Sequence, residues 1–352
     1  MIERENALLL SKWIDSAEVI SAVCHARPDG DAAGCVVAAA LYASLCRGKD
    51  ALIILPDAAP ASIQFIFDQA PLRVIDARSN PLEAGERLRR TDLLFCLDFN
   101  TLSRTEGLEE ALRSCPGRKV LVDHHQAPAL EEFDLCFSST GVSSACELLY
   151  NLLLQMPDID SDASRLPLPA ATALMCGMTT DTNNFANSVF PGTLRMASEL
   201  LAAGVDRGDL IDKLYFSERP NRIAAQGEML SSKMSLLSCG VAVTVLDKSF
   251  YERHALLDGE TEGFVNIPLT IKDIKLSILA REEDGRLRVS LRSKRGVSAR
   301  ELAVRSFHGG GHEQASGGKI LIPDDIASPS LAQAYIEDVA ARFMRENYAI
   351  EK

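Results

Sequence analysis

Short apolar runs recur through the first half of the chain, and alanine-rich or amphipathic stretches separate them. Glu18–Cys24 (EVISAVC), Ala51–Leu55, Leu72–Ile75, Leu93–Leu97 (LLFCL) and Lys119–Val122 have the length and apolar continuity of strands. Between them the spacing predicts helices over Ala32–Cys46, over Ala61–Gln69 and around Glu106–Arg113. A continuous apolar run suits a strand covered on both faces, and intervening helices make βαβ units. The pattern therefore predicts an α/β fold with a mainly parallel sheet flanked by helices. Two further helices, Ser143–Leu154 and Pro169–Met178, are expected to cover that sheet.

From Pro191 to Leu237 the pattern turns wholly helical. Strand character then returns at Val241–Leu246, Ile274–Ala280 and Leu287–Leu291, and an amphipathic helix over Ser328–Asn347 closes the chain. We expect a first domain over residues 1–190, a helical connector over 191–237 and a smaller α/β domain over 238–352. At 352 residues the chain is longer than one typical core uses, which also points to two domains.

Composition narrows the function. The apolar fraction of 47% is ample for buried cores, and the net charge is −12. Such a chain does not coat long duplex nucleic acid, whose phosphates are held by lysine and arginine, but a local basic pocket can still hold a small phosphate-bearing ligand. The nine cysteines are scattered and form no CxxC pair, which fits free thiols in a reducing compartment. The N-terminus MIERENALLLSKWID lacks a signal-peptide cleavage region, and the longest uncharged apolar stretch, Ala32–Cys46, is too short to span a bilayer. A cytoplasmic protein with no membrane partner is expected.

Polar residues gather where the strands end. CHARPDGDAAG (24–34) supplies His25, Asp29 and Asp31 on a loop turned by Pro28 and Gly30, with a helix starting just after Asp31. Asp98 follows LLFCL, Asp123, His124 and His125 follow VLV, and the Pro169–Met178 helix runs into TTDTNN with Asp181. In open α/β sheets, ligands bind outside the carboxyl ends of strands. Each residue also has a plain structural reading: Asp31 as a helix N-cap, or a histidine satisfied by a backbone carbonyl. Taken together, four segments deliver Asp or His to one sheet edge. Five of the six histidines lie in clusters of this kind or in the glycine-rich segment below, leaving His254 apart. Crowded carboxylates repel unless cations neutralise them. Six or seven such ligands exceed what one ion with open positions takes, and they suit a pair of divalent ions roughly 3.5–4 Å apart. With no thiolate in the set, Mn²⁺, Mg²⁺ or Fe²⁺ is favoured over structural zinc.

The second half reverses the local charge. Between Arg286 and Arg305 there are seven basic residues and one acid, Glu301. Arg286, Arg288 and Arg300 read as a solvated face. Arg292 and Lys294, on either side of Ser293 at a strand end, read as phosphate contacts, since guanidinium, ammonium and hydroxyl all donate to phosphate. His308, Gly309, Gly310, Gly311 and His312 form a loop whose successive N–H groups can make an anion-binding nest, and His312 could also stack on a base.

These motifs resemble a known family. HARPDGDAAG, LDFN with Arg104 shortly after, VDHH and TTDT are similar to the four motifs of the DHH phosphoesterases. SLRSK (290–294) and FHGGGHEQASGG (307–318) resemble the glycine-rich DHH-associated domain of the nanoRNase and RecJ-like branches, so the resemblance spans nearly the whole chain. It implies one metal held by His25, Asp29 and Asp98, and a second held by Asp31, Asp98, His124 and Asp181, with Asp98 as the bridge. It implies that Asp123 orients these ligands from behind and that His125 meets the phosphate or its leaving oxygen. It also implies substrate contacts from Arg104, Arg292, Ser293, Lys294, His308, Gly309, Gly310, Gly311 and His312. The chain departs from the family where Asn183–Asn184–Phe185 follows Thr182, since many relatives carry glycine there.

The activity implied is hydrolysis of short single-stranded oligoribonucleotides to mononucleotides, with Mn²⁺ foremost and Mg²⁺ or Fe²⁺ as alternatives. 3′-Phosphoadenosine 5′-phosphate would be a second substrate. A rival is a phosphodiesterase for cyclic dinucleotides or linear pApA, and a more distant one is a non-catalytic nucleotide sensor. A manganese pyrophosphatase would share the metal motifs but not the glycine-rich domain, and no GxGxxG supports a dinucleotide oxidoreductase. A free sheet edge and an apolar composition would permit a homodimer.

Overall fold

The computed structural model describes residues 2–257, 259–311 and 313–348, and these divide into two compact units, 1–217 and 218–352. In the first unit, helix α1 (Arg4–Ser16) precedes β1 (Val19–Val23) and α2 (Gly30–Leu41). Next come β2 (Asp50–Leu55), α3 (Gln64–Asp68), β3 (Val74–Asp76), α4 (Pro81–Arg90) and β4 (Leu93–Leu97). Short α5 (Glu109–Arg113) leads to β5 (Arg118–Asp123) and β6 (Leu135–Ser138), and helices α6 (Ala145–Leu153), α7 (Leu168–Asp181), α8 (Pro191–Ala202) and α9 (Arg207–Tyr215) complete the unit.

The six strands form one sheet in the order β3-β2-β1-β4-β5-β6, and every pairing is parallel. The apolar runs explain it. Ala22, Ile53, Phe95, Leu97 and Val122 face the core beneath α1, α2, α6 and α7, while Val23, Ile54, Leu94, Cys96 and Leu121 face a second core beneath α4 and α5. Each fully buried Val, Leu or Ile side chain contributes about 1.5–3 kcal/mol relative to exposure, so both faces must be covered. The chain reverses direction across the sheet between β1 and β4. That is the switch point, where a crevice opens at the carboxyl ends.

Helix α2 is buried along its whole length and crosses α7 closely. A Cβ at Gly34 would stand 2.4 Å from the Ala173 carbonyl, and one at Gly177 would stand 2.3 Å from Cys146 Sγ. Glycine at these two points lets the helices meet at backbone distance and sets where the start of α2 can lie. The expected Ala32–Cys46 helix begins earlier, at Gly30, and gives way after Leu41 to a π-helical turn over Tyr42–Cys46. Arg47 lies just beyond that turn and ties it to Asp15 and Asp158.

The second unit opens with α10 (Pro220–Glu228), β7 (Met234–Leu237), β8 (Val241–Leu246) and α11 (Lys248–Arg253). It continues through β9 (Leu276–Glu283), β10 (Arg286–Ser293), α12 (Ala299–Ser306), β11 (Gly310–Gly311), β12 (Ala315–Leu321) and α13 (Ala332–Asn347). Its sheet runs β11-β12-β10-β9-β8-β7 and is antiparallel except at β8–β9. Helices α12 and α13 cover one face, and Met229, Phe250 and Phe264 cover part of the other.

The stretch 191–237 is therefore not wholly helical. Its end forms the edge strand β7, which is too short and too evenly half-buried to alternate visibly, and the boundary between the units falls inside the stretch, after Ser217. Among the described residues, no helix is long and apolar enough to cross a membrane.

Candidate metal centre

The carboxyl ends of β1, β4 and β5 and the ends of α2 and α7 bring six side chains together. His25 Nε2 lies 3.5 Å from Asp98 Oδ2 and 3.9 Å from Asp29 Oδ1. His124 Nε2 lies 3.6 Å from Asp98 Oδ1, 3.5 Å from Asp181 Oδ2 and 3.9 Å from Asp31 Oδ2. Donor atoms held at roughly 2.1 Å by one ion lie roughly 3–4 Å apart, so both groups have the spacing of ligand sets. One group is His25, Asp29 and Asp98, the other is Asp31, His124 and Asp181, and Asp98 adjoins both.

Three of these side chains, His25, Asp29 and Asp31, are held by hydrogen bonds before any ion arrives. His25 Nδ1 lies 2.9 Å from the Ala26 carbonyl, which only accepts, so Nδ1 carries the proton and Nε2 keeps its lone pair. Asp29 is the N-cap of α2 and accepts from the Asp31 and Ala32 N–H groups; the cap is Asp29 rather than Asp31. Asp31 sits one turn in, 1% exposed, and accepts from Ala145 N at 2.6 Å and Cys146 N at 2.9 Å. These two donors are the first N–H groups of α6, whose positive end suits a carboxylate. Asp98 turns sharply off β4 with φ +61°, an uncommon conformation for a residue other than glycine.

Electrostatics completes the test of fit. Asp98 is 2% exposed, and its Oδ1 has no hydrogen-bond partner among the described residues. Burial, and then the neighbouring Asp31 and Asp29, hold its carboxyl well above the ordinary range. Burial raises Asp31 as well, against the pull of His124. Asp181 is pushed up to about 8 by burial and by Asp31 and Asp29. Burial lowers His124. A buried carboxylate oxygen left without a donor costs about 1–3 kcal/mol or more, and cations of charge two would relieve it. The donor set fits divalent ions.

Asp123, fully buried, accepts from both the backbone N–H and ring Nδ1 of His125, at 3.1 and 2.7 Å. His125 Nδ1 is 3.8 Å from Asp98 Oδ1. Arg104 adjoins the cluster through its backbone, its carbonyl accepting Ala26 N at 2.9 Å. Asn183, Asn184 and Phe185 all have positive φ, at 46°, 56° and 67°. Asparagine tolerates this conformation, which explains how it replaces glycine there. Phe185 is held by its N–H to Thr182 Oγ1 and by Arg207 over its ring.

Sequence reading missed what lies behind Asp31. Ser144 caps the Glu147 N–H, and the Glu147 carboxylate accepts from Ser143 and Thr193. The S-x-x-E spacing of Ser144 and Glu147 is visible in the sequence; here the serine caps the helix while the glutamate turns back to Ser143, and together they fix the α6 N-terminus on which Asp31 rests. Cys35 and Cys146 stand there too, Sγ to Sγ 3.4 Å; burial pushes the Cys35 thiol up to about 12 and raises that of Cys146.

In the second unit the expected phosphate contacts are less uniform. Arg292 is half-buried, and among the described residues its guanidinium bonds the Leu291 carbonyl and has no carboxylate partner. Ser293 Oγ donates to the Val297 carbonyl at 2.6 Å, and Lys294 Nζ donates to the Ile271 and Lys272 carbonyls. His308 Nε2 pairs with Asp325 at 3.1 Å. Gly309 donates to the Ala303 carbonyl, and a Cβ there would stand 2.0 Å from the Gly317 carbonyl. The segment expected as a free loop is thus partly a strand, with Gly310 and Gly311 paired to β12. Gly310 has open space above it. His312 lies outside the described residues.

The N-terminal domain profile of the DHH family matches residues 19–178, and the DHHA1 domain profile matches 241–339. The chain is 28% identical over 346 residues to the bifunctional oligoribonuclease and PAP phosphatase NrnA of Thermus thermophilus, covering 94% of each. It is 25% identical over 310 residues to the cyclic-di-AMP phosphodiesterase GdpP of Geobacillus thermodenitrificans, of which it spans 45%. An exopolyphosphatase-related protein from Bacteroides fragilis superposes with a TM-score of 0.90 at 28% identity, over 99% of both chains. RecJ of Thermus thermophilus, in complex with Mn²⁺, shares the fold at a TM-score of 0.57 and 14% identity, over 97% of this chain and 54% of that one. With both domains in order and this arrangement at the sheet edge, the chain belongs to the DHH family of phosphoesterases, with a DHHA1 domain as its second unit.

Proposed function

We propose that this protein is a nanoRNase: it hydrolyses short single-stranded oligoribonucleotides to mononucleotides and takes 3′-phosphoadenosine 5′-phosphate as a second substrate. The observation that carries the phosphoester chemistry is Asp98, a buried carboxylate with one oxygen that finds no donor among the described residues, standing between two histidines. The similarity to NrnA over 94% of both chains favours the oligoribonucleotide.

In this reading His25, Asp29 and Asp98 hold one divalent ion, and Asp31, Asp98, His124 and Asp181 hold the other. Mn²⁺ is the leading candidate, with Mg²⁺ or Fe²⁺ next, because the donors are carboxylate and imidazole. When bound, the ions supply an activated water and polarisation of the phosphoryl oxygens. The α6 N-terminus keeps Asp31 from rotating. Asp123 fixes the His125 ring through Nδ1, so Nε2 is the nitrogen left to face the phosphate or its leaving oxygen. Arg104 and Arg292 neutralise substrate phosphate, and the half-buried Arg292, with no carboxylate partner among the described residues, is the strongest support for phosphate capture in the second unit. An enzyme of this kind works on soluble nucleotides in the cytoplasm.

The similarity to GdpP supports a second reading, a cyclic-dinucleotide phosphodiesterase. Product chromatography decides between them. Purified protein with Mn²⁺ is given pApA, a short RNA, cyclic di-AMP and 3′-phosphoadenosine 5′-phosphate side by side. We expect AMP from the linear substrates and little from the cyclic one. Preference for the cyclic dinucleotide would establish the second reading, and nucleotide binding without turnover would overturn both.

A further inference from the structure

A separate cavity of about 570 Å³ opens at the carboxyl ends of β2 and β3 in the first unit, and nothing in the metal centre uses it. It shares one wall with the cluster, the loop from His25 to Asp29, whose middle residue Arg27 lines the cavity. Asp57 follows β2, Arg78 follows β3, Glu106 follows β4, and all three line it together with Pro81 and Leu108.

Two backbone conformations at its mouth are costly. Arg27 has φ +56°, and Glu106 has φ 48° with ψ −109°. Outside glycine such conformations cost of order 1–3 kcal/mol each and persist only where surrounding contacts impose them. At Arg27 such contacts are present. Asp57 accepts the Arg27 N–H at 3.0 Å, and Arg104 accepts the Ala26 N–H at 2.9 Å. The two strained residues meet in one ion pair, Arg27 to Glu106 at 2.6 Å, with side chains 70% and 55% exposed. An exposed pair of this kind is worth little by itself, so it does not explain the strain. Arg78 reaches Asp57 at 3.4 Å and is otherwise exposed.

Two guanidinium groups and two carboxylates make a poor site for a simple anion, which the carboxylates repel. They match a ligand carrying both an anionic phosphate and hydroxyl donors. The cavity also has the volume of a small-molecule site, and no aromatic residue lines it to stack a base. We infer that this cavity is a ribonucleotide subsite: Arg27 and Arg78 hold a phosphate, while Asp57 and Glu106 accept from the ribose hydroxyls of a nucleotide next to the scissile bond. The subsite rests on the oligoribonucleotide reading above. It reads sugar rather than base, because the 2′-hydroxyl is what distinguishes RNA from DNA at a given position.

The test is steady-state kinetics of the wild type, Arg78→Ala and Glu106→Ala with Mn²⁺. Substrates are an RNA trimer, the same trimer carrying one 2′-deoxy sugar at each position in turn, and bis(p-nitrophenyl) phosphate, which has no ribose. One lost charge-assisted hydrogen bond corresponds to about tenfold or more in affinity. In the wild type, one deoxy position should lower kcat/KM by about that factor. Glu106→Ala should abolish this discrimination. Arg78→Ala should lower the ratio of RNA to aryl-diester kcat/KM by about tenfold, through KM. Wild-type cleavage of RNA with no sensitive deoxy position, or variants that keep full discrimination, would overturn the subsite. Hydrolysis of the aryl diester with no RNA cleavage would overturn the oligoribonucleotide reading and the subsite with it.

Discussion

The two units carry charged residues in opposite ways. In the first, Asp31 and Asp98 are almost fully buried and stand close together, with His124 lowered beside them and one Asp98 oxygen left without a donor. In the second, Ser293, Lys294, His308 and Gly309 already have hydrogen-bond partners in their own unit, whereas the half-buried Arg292 guanidinium bonds only the Leu291 carbonyl among the described residues. The first arrangement leaves buried carboxylate charge unneutralised, whereas the second meets most of these donors from within. A residue that resembles a ligand in sequence is available as one only where the fold leaves it a lone pair or a charge unmet.

The largest effect should come from breaking the first unit at Asp98. Asp98→Asn removes the carboxylate adjoining both ligand groups, and the loss of several kcal/mol of transition-state stabilisation corresponds to about a thousandfold or more in turnover. Mn²⁺ affinity, followed by electron paramagnetic resonance, should fall in parallel. Thermal melting of the metal-free protein should move the other way, because the variant relieves repulsion among Asp29, Asp31 and Asp98. A metal-free Asp98→Asn protein less stable than wild type would contradict the picture of an unsatisfied cluster.

Next in size is the contrast between two basic neighbours. Arg292→Ala should raise KM for phosphate-ended substrates by about 10–100-fold with little change in kcat, as expected for one lost charged contact. Lys294→Ala should leave KM nearly unchanged and cost about 1 kcal/mol of stability, because its ammonium bonds the carbonyls of Ile271 and Lys272. Urea melts and initial rates on the same preparations separate the two. Equal KM effects would mean that Lys294 leaves those carbonyls for the substrate.

How much of this was legible follows from the same contrast. Leu93–Leu97 and Val241–Leu246 match their predicted bounds because a strand covered on both faces needs a continuous apolar run. Strand β12, ASGGKIL, was unreadable: its glycines erase the pattern, and its conformation comes from pairing with β10. Strand β6 offers only four residues, and α1 and α4 had shown no more than amphipathic or charged patterns. At the site, the six cluster residues could be named from strand and helix ends alone. Their support could not, because Asp31 and its donor Ala145 are 114 positions apart. Nor could the sequence show that Ser293 and Lys294 spend their donors on backbone carbonyls, since a hydroxyl and an ammonium look the same whichever acceptor they find.

The smallest effect concerns pH, and it sharpens the contrast without any substitution. Asp181 has an ordinary carboxyl value of 3.8 when exposed and is pushed up to about 8 in the folded, metal-free protein by burial and by Asp31 and Asp29. Between those values the folded state holds a proton that the unfolded state has released. Stability of the metal-free protein should therefore fall as pH rises across that window, with the loss complete above about 8. Asp31 and Asp98 shift in the same direction and should add to the slope. Divalent ions favour the ionised carboxylates and should flatten or reverse the dependence. Melting curves from pH 5 to 9 with EDTA, and again with excess Mn²⁺, measure it. The Asp181→Asn variant should show a shallower EDTA slope and a weaker response to Mn²⁺. A metal-free protein that grew more stable over the same range would mean that the carboxylates are already neutralised from within, and the first unit would then resemble the second.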